Sequence, residues 1–186
     1  MLRVAVVGTS CSGKTTLARK IAILLAIPHI ELDALYWGPN WTPVPPEVFY
    51  RTVSERAIEQ AWVMDGNYSK VREIIWSRAT HLVWLNLPFV LVFWRALSRT
   101  LRRAITQEEL FAGNRETFGL ALFHDDSILW WVIRTHYRRR REYRRLIDSG
   151  LYPHLRVYEV RNTKDLRGML EELSDETNTD GQLVAL

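Results

Sequence analysis

Short apolar runs alternate along the chain with longer stretches in which apolar residues recur at helical spacing. The runs are rich in β-branched residues and end at turn signals, as buried strands do. Strands and helices that alternate in this way predict βαβ units around a parallel sheet. The predicted strands are Leu2–Val7, His29–Leu32, Trp62–Met64, His81–Leu87 and Leu155–Val160; the predicted helices are Lys14–Ala26, Pro46–Ala61, Ser69–Trp76, Pro88–Ala104, Asn114–Ser149 with a break near Gly119 or His124–Asp126, and Lys164–Leu173.

The length of 186 residues suits one domain with a substantial core. The segment from Ser174 onward is polar and lacks helical periodicity, so we expect a single domain over residues 1–174 and a flexible tail over 175–186. The longest apolar stretch, Leu82–Trp94, contains Pro88 and is too short to span a bilayer. We therefore expect no membrane partner.

The single cysteine, Cys11, rules out a disulfide within the chain, and the opening residues lack the pattern of a signal peptide. Both observations favour a cytoplasmic protein. The net charge of +4 is unevenly distributed, since twelve of the 25 basic residues but only six of the 21 acids lie in the segment Arg95–Arg145. All twelve are arginine, whose planar fork suits phosphate oxygens, although a GC-rich genome would also favour arginine over lysine.

The segment Gly8–Thr15 has the spacing G-x-x-x-x-G-K-[ST] and directly follows the first predicted strand. Glycines let successive backbone N–H groups turn inward around an anion, and the following helix adds its positive N-terminal end. Lys14 is expected to reach the β- and γ-phosphates, and the Thr15 hydroxyl to bind Mg²⁺. The motif predicts a phosphate loop for ATP made of Gly8, Ser10, Cys11, Ser12, Gly13, Lys14, Thr15 and Thr16.

Carboxylates follow the second and third predicted strands, at the sheet edge where ligands collect in open α/β proteins. Glu31 and Asp33 close the second strand, and Asp65 closes the third. Phosphoryl transfer needs one carboxylate near the metal and another near the acceptor's proton. Glu31 and Asp33, two residues apart on a strand, are expected to face the same way. Helix capping or turn formation is the alternative for Asp33 and Asp65, and a solvent-facing position is the alternative for Glu31.

Four further segments indicate which group of phosphate-loop proteins the chain resembles. Glu31–Trp37, Asn40–Pro43, Asp65–Ser69 and Gly113–Glu116 resemble the bacterial topology modulation protein group of adenylate-kinase-like P-loop proteins. The resemblance extends to about Leu173. It implies a three-layer α/β/α fold with a five-stranded parallel sheet in the order 2-3-1-4-5, and an arginine-rich helical lid over about residues 105–145.

Resemblance to adenylate kinases and, at Glu31–Asp33, to shikimate-type kinases implies roles for individual residues. Asp65 would bind a water of the Mg²⁺ ion, with Glu31 beside it, and Asp33 would hold or deprotonate the acceptor hydroxyl. Arg95 would stack on adenine and Arg99 would contact phosphates. Arg161 and Asn162 lie in the loop whose backbone would frame the adenine.

The arginine-rich segment supplies the predicted lid. Arg115 is the leading lid residue, followed by Arg134 and Arg138, which would close over the transferring phosphoryl group. Arg134, Arg138, Arg141 and Arg145 fall on one helical face. A solvated face is the favoured interpretation for residues 139–145, and contact with nucleic acid is a weaker alternative.

Aromatic residues Tyr36, Trp37 and Trp41 follow Asp33, either as a small core or as a stacking wall for an acceptor ring. The five histidines show no metal-ligand spacing and are interpreted as structural or exposed.

The sequence therefore predicts a Mg²⁺-ATP-dependent kinase for a small-molecule or nucleotide acceptor. The alternative is a nucleotide-binding regulatory ATPase that acts on DNA. A GTPase is disfavoured because its guanine-binding motif is missing.

Overall fold

The computed structural model describes residues 1–106, 111–114 and 128–183. Five strands and seven helices alternate along this part of the chain. The strands are β1 (Arg3–Gly8), β2 (His29–Glu31), β3 (Trp62–Asp65), β4 (His81–Leu85) and β5 (Arg156–Val160); the helices are α1 (Lys14–Leu25), α2 (Leu32–Tyr36), α3 (Pro46–Ala57), α4 (Arg72–Trp76), α5 (Phe89–Thr106), α6 (Ile128–Asp148) and α7 (Thr163–Leu183); 3₁₀ turns cover Pro39–Trp41, Ser69–Val71 and Phe111–Gly113.

The strands form one parallel sheet in the order β2-β3-β1-β4-β5. This confirms the predicted order. The register sets Asp65 opposite both Val6 and Glu31, and Gly8 opposite Leu85. The carboxyl ends of the three strands that carry the phosphate loop and the two carboxylates therefore meet at one edge.

Each face of the sheet is covered by its own core, as the alternation of side chains along β1 requires. Val4 and Val6 pack with Leu17 of α1 and Leu173 of α7. On the other face, Ala5 and Val7 belong to a cluster that is completed by residues of α3, α4 and α6: Phe49, Val53, Ile75, Trp76 and Tyr143. The result is the predicted three-layer α/β/α arrangement.

Several predicted boundaries shift by a few residues, and two differences affect the site and the tail. Strand β2 ends at Glu31, and Leu32 begins the short helix α2, which the sequence did not predict. The rule that strand residues two apart face the same way therefore does not apply to Glu31 and Asp33. The last helix ends at Leu183 rather than Leu173. Once Leu173 is buried in the core, extension of an existing helix costs little, because nucleation is the expensive step.

The predicted lid is described only in part. Helix α6 is present, but Arg115 lies outside the described residues, and lid closure stays a prediction. Mobility of the tail likewise stays a prediction. No helix in the part of the chain that the structure describes is both long enough and apolar enough to cross a membrane.

Candidate active site

The phosphate loop joins β1 to α1 through backbone conformations that favour glycine. Gly8 has a φ of 151° and Gly13 a φ of 96°, while Cys11 between them has a φ of 63°. A Cβ atom on Gly8 would lie 2.8 Å from the Leu85 carbonyl oxygen. The Ser12 amide donates to the Thr9 carbonyl at 3.1 Å and closes the turn. The two motif glycines are thus required by the shape of the loop.

The N-terminus of α1 is prepared for an anion. Gly13, the N-cap residue, provides no side-chain cap, and the first turn contains no acidic residue. The Lys14 ammonium donates to the Thr9 carbonyl at 3.2 Å, so it is held against the loop. Among the described residues, the buried Ser12 Oγ has no hydrogen-bond partner. An uncapped helix terminus beside an ammonium group is the kind of site that binds phosphate.

The Thr15 hydroxyl lies between two carboxylates. It is 2.8 Å from Asp65 Oδ2 and 3.1 Å from Glu31 Oε1. Asp65 is almost fully buried, and the guanidinium of Arg19 lies 3.5 Å from Glu31. A hydroxyl flanked by carboxylate oxygens is the donor set that Mg²⁺ prefers, with water and substrate oxygens completing its coordination. The three side chains therefore fit the predicted metal.

The pKa values of Glu31 and Lys14 are shifted in the direction that favours the neutral forms. Burial raises the pKa of Glu31, and the neighbouring Asp65 carboxylate raises it further. Burial lowers the pKa of Lys14, against the Asp33 and Asp65 carboxylates, which raise it. A bound cation beside the carboxylates and a phosphate beside Lys14 would relieve both effects.

Asp33 lies in the first turn of α2 and accepts a hydrogen bond from the Tyr68 hydroxyl at 2.6 Å. Burial, followed by the nearby Asp33 charge, raises the pKa of Tyr68 well above its ordinary value, so the phenol stays a donor. Tyr68 also packs against Tyr36 and Phe49, with ring centroids 4.7 and 5.1 Å away. The aromatic cluster after Asp33 thus holds that carboxylate in place.

Asn67 links the third strand to the phosphate loop. Its side-chain amide donates to the Gly8 carbonyl at 2.5 Å, and its Oδ1 accepts from the Gly8 amide at 3.3 Å and from the Tyr143 hydroxyl at 2.7 Å. The sequence placed Asn67 in a motif but gave it no role. Its position two residues after Asp65 at a strand end was the available signal.

A cavity of about 970 Å³ opens in front of the loop. Lys14 and Asp33 both line it, and α6 forms one side with a stripe at helical spacing. The α6 residues are Trp131, Arg134, Thr135, Arg138 and Arg139; other lining residues include Ser10, Tyr36, Trp37, Phe49, Tyr50, Tyr68, Lys70, Pro43 and Pro45 of the loop before α3, and Pro46 at the start of α3.

The arginines that were predicted to share one face of α6 do not all line the cavity. Arg134 and Arg138 line the cavity, whereas Arg141 and Arg145 line a separate groove. Arg139, which was assigned to a solvated face, lines the cavity instead and contributes to the electrostatic environment of Lys14 and Tyr68. Its Nε is buried without a hydrogen-bond partner among the described residues. The solvated-face interpretation is wrong for Arg139.

The residues expected around adenine have different partners within the fold. The Arg95 guanidinium donates to the Ser12 carbonyl at 2.9 Å, so it lies against the phosphate loop. Arg99 is half-buried one turn further along α5. Asn162 caps α7, its Oδ1 accepting from the amides of Lys164 and Asp165 at 2.8 and 3.1 Å.

The guanidinium of Arg161 forms an ion pair with the carboxylate of Glu159. Its Nε and Nη2 each lie 2.8 Å from one of the two carboxylate oxygens. Among the remaining loop residues, Thr16 is exposed in the first turn of α1 and Ser10 is partly exposed.

The sheet order and the phosphate loop together define a P-loop kinase fold. Solved structures of kinases share it across nearly the whole chain. Shikimate kinase from Bacteroides thetaiotaomicron matches with a TM-score of 0.54 and 16% identity, covering 95% of this chain and 98% of that one. Shikimate kinase from Aquifex aeolicus matches with a TM-score of 0.51 and 14% identity, over 97% of this chain and 99% of its own.

A gluconokinase from Sinorhizobium meliloti 1021 has the same fold, with a TM-score of 0.50 and 19% identity over 99% of this chain and 95% of its own. No protein-family model and no curated protein sequence matches the chain. At these identities the likeness establishes the fold, and the chemistry must be argued from the site.

Proposed function

We propose that the protein is a Mg²⁺-ATP-dependent phosphotransferase whose small-molecule acceptor binds in the cavity between Asp33 and α6. The observation that carries this proposal is the meeting of three groups: Lys14 and Asp33 line one cavity, and Thr15, next to Lys14, contacts two carboxylates. A donor phosphate, a metal and an acceptor proton each have a matching side chain. A nucleotide-binding protein without transfer activity would not need Asp33 beside Lys14.

The donor side is formed by the loop and α1. Backbone amides and the Lys14 ammonium would hold the β- and γ-phosphates, and Arg95 would keep the loop in shape through its bond to the Ser12 carbonyl. Thr15, Asp65 and Glu31 would hold Mg²⁺ directly or through water. The bound ion would offset charge on the phosphate oxygens.

The acceptor side is formed by Asp33. The Tyr68 hydroxyl occupies Oδ1, which orients the carboxylate and leaves Oδ2 for a hydroxyl group of the acceptor. Asp33 would take the proton of that hydroxyl, and the oxygen of the acceptor would form a bond to the γ-phosphorus. The bond between this phosphorus and the β–γ bridging oxygen would break, which releases ADP. Lys14 and Arg139 would stabilise the charge on the transferring group.

The walls of the cavity indicate an anionic acceptor. Three arginines and Lys70 line it in addition to Lys14, and Asp33 is the only acidic side chain among its described lining residues. Tyr36, Trp37 and Tyr50 offer ring faces or edges to a flat substrate. Shikimate and gluconate, after which the structural neighbours are named, and nucleoside monophosphates are therefore the first acceptors to test. The resemblance to topology modulation proteins, and with it a role on DNA, stays a prediction of the sequence.

The test combines an acceptor screen with two variants. ADP release is measured with Mg²⁺-ATP and each acceptor, and nucleotide binding is measured by calorimetry. Asp33→Asn should lower turnover by about 10²- to 10⁴-fold, because it removes the proton acceptor, and it should change ATP affinity far less, because the loop and Lys14 that hold the phosphates remain. Lys14→Ala should weaken both.

Asp148→Asn, at the exposed end of α6, is the matched control and should behave as wild type. Wild-type protein that binds Mg²⁺-ATP but phosphorylates none of the acceptor classes would contradict the proposed transfer. Equal turnover in wild type and Asp33→Asn would contradict the role of Asp33.

A further inference from the structure

Asp65 has a second partner that the proposed metal site does not use. His29, the first residue of β2, places its Nε2 2.7 Å from Asp65 Oδ1. An ionised carboxylate can only accept hydrogen bonds, so His29 Nε2 carries the proton and donates it. Nothing in the sequence indicated this contact, because residues 29 and 65 become neighbours only when β2 pairs with β3.

The two carboxylate oxygens of Asp65 thus accept hydrogen bonds from two different residues. His29 holds Oδ1, and the Thr15 hydroxyl holds Oδ2 at 2.8 Å. The side chain of Asp65 is 3% exposed and that of His29 is 16% exposed, so water cannot readily replace either bond. The carboxylate therefore has one fixed orientation about its terminal torsion.

We propose that His29 is the positioning residue that fixes Asp65 for Mg²⁺; this role rests on the proposed function. Ligands and water-mediated ligands of a metal are oriented by hydrogen bonds from outside the coordination sphere. Without His29, Oδ1 would be buried without this donor, and the carboxylate would lose the contact that fixes its orientation toward Thr15. A correctly directed oxygen would then be missing from the metal site.

A purely structural role for His29 makes a different prediction. β2 is an edge strand of the sheet, so a structural histidine there would affect unfolding and leave metal dependence unchanged. The positioning role instead predicts that a folded His29 variant keeps its affinity for ADP without metal but loses the enhancement of that affinity by Mg²⁺. ADP binding without metal depends on the loop and Lys14, whereas its enhancement by Mg²⁺ depends on Asp65.

The experiment titrates ADP by calorimetry at a series of Mg²⁺ concentrations and with EDTA. His29→Ala should raise the Mg²⁺ concentration for half-maximal enhancement by roughly 10- to 100-fold. Its ADP affinity in EDTA should stay within about twofold of wild type, because the phosphate contacts are untouched. His29→Gln, which keeps a side-chain N–H donor, should recover part of the loss and serves as the folded variant if His29→Ala is unstable.

His154→Ala is the matched control, since His154 Nε2 lies 3.0 Å from the Trp76 carbonyl, away from the metal site. Wild-type Mg²⁺ dependence in a folded His29 variant would overturn the positioning role, as would an equal loss of ADP affinity in EDTA. Failure of wild type to bind ADP at all would overturn the proposed function itself, so the two failures are distinguishable.

Discussion

Lys14 and Asp33 place opposite charges on the lining of the same cavity. Burial lowers the pKa of Lys14, and the carboxylates of Asp33 and Asp65 oppose that shift. The charged form of the ammonium is thus favoured by the same acids that are proposed to serve the metal and the acceptor. Removal of any one of them changes the charge balance of the other two, so single substitutions here are not expected to be additive.

Gly8 is the residue whose replacement should harm the loop most directly. A Cβ atom there would lie 2.8 Å from the Leu85 carbonyl and 2.9 Å from Leu85 Cβ, at a φ of 151°. Gly8→Ala should lower the free energy of unfolding by about 1–3 kcal/mol. Gly168→Ala is the control with the opposite sign: nothing lies within 4 Å of its added Cβ, and it should stabilise α7 by up to about 1 kcal/mol.

Urea unfolding of both variants measures the difference. Equal stability of Gly8→Ala and wild type would show that the loop relaxes away from Leu85, contrary to the tight packing between β1 and β4.

Helix α6 is the element that joins the phosphate loop to the acceptor cavity. Its buried His136 lies 3.4 Å from the Thr9 hydroxyl, and Tyr143 bonds to Asn67, so two points along the helix are tied to the site. Its cavity side consists of residues three and four apart. These two contacts hold the part of α6 that carries Arg139 against the cavity.

Substitution on the two sides of α6 should separate catalysis from surface charge. Arg139→Ala should lower kcat by roughly 10²- to 10³-fold, because a charge beside the transferring phosphoryl group is lost. Arg141→Ala, on the exposed groove side, should stay within about twofold of wild type. Steady-state kinetics with the acceptor found in the screen provide the comparison, and similar losses in both variants would mean that the helix acts through its overall charge.

Glu159 of β5 connects three elements and should give the fold an acid-sensitive contact. Burial alone would raise the pKa of Glu159, but hydrogen bonds from Arg161, Asn86 and Arg144 outweigh it and lower the pKa to about 2. Because the folded-state pKa is below the ordinary 4.5, the contact stabilises the fold above about pH 4.5. This stabilisation is lost as pH falls toward 2.

Glu159→Gln should therefore destabilise the protein by roughly 1 kcal/mol at pH 7, a modest value because Arg144 and Arg161 are about half exposed. The difference from wild type should shrink as pH falls from 4.5 to 2. Glu55→Gln, on the exposed side of α3, is the control. Urea unfolding at pH 7 and pH 3 tests the sign: a gap that widens at low pH would contradict the depressed pKa.

At the scale of the whole molecule, the sheet order brings the ends of β1, β2 and β3 to one edge. The alternation of strands and helices is a local signal from which the sequence predicted a parallel sheet, whereas the strand order was implied by the family resemblance. The sequence could not predict that Glu31 and Asp33 would separate, since the start of α2 at Leu32 depends on tertiary packing. Nor could it predict Arg139 or His29, whose roles depend on the rotation of α6 and on the pairing of β2 with β3.

The proposed function requires that Mg²⁺ and a nucleoside triphosphate share the site around Thr15. Calorimetric titration of a non-hydrolysable ATP analogue, with Mg²⁺ and with EDTA, tests it in wild type and in Thr15→Val, which keeps the side-chain shape and removes the hydroxyl. Mg²⁺ should tighten binding to wild type at least tenfold, about 1.4 kcal/mol, and the enhancement should be largely lost in Thr15→Val. Failure of wild type to bind the analogue, or an equal Mg²⁺ effect in both proteins, would contradict the account.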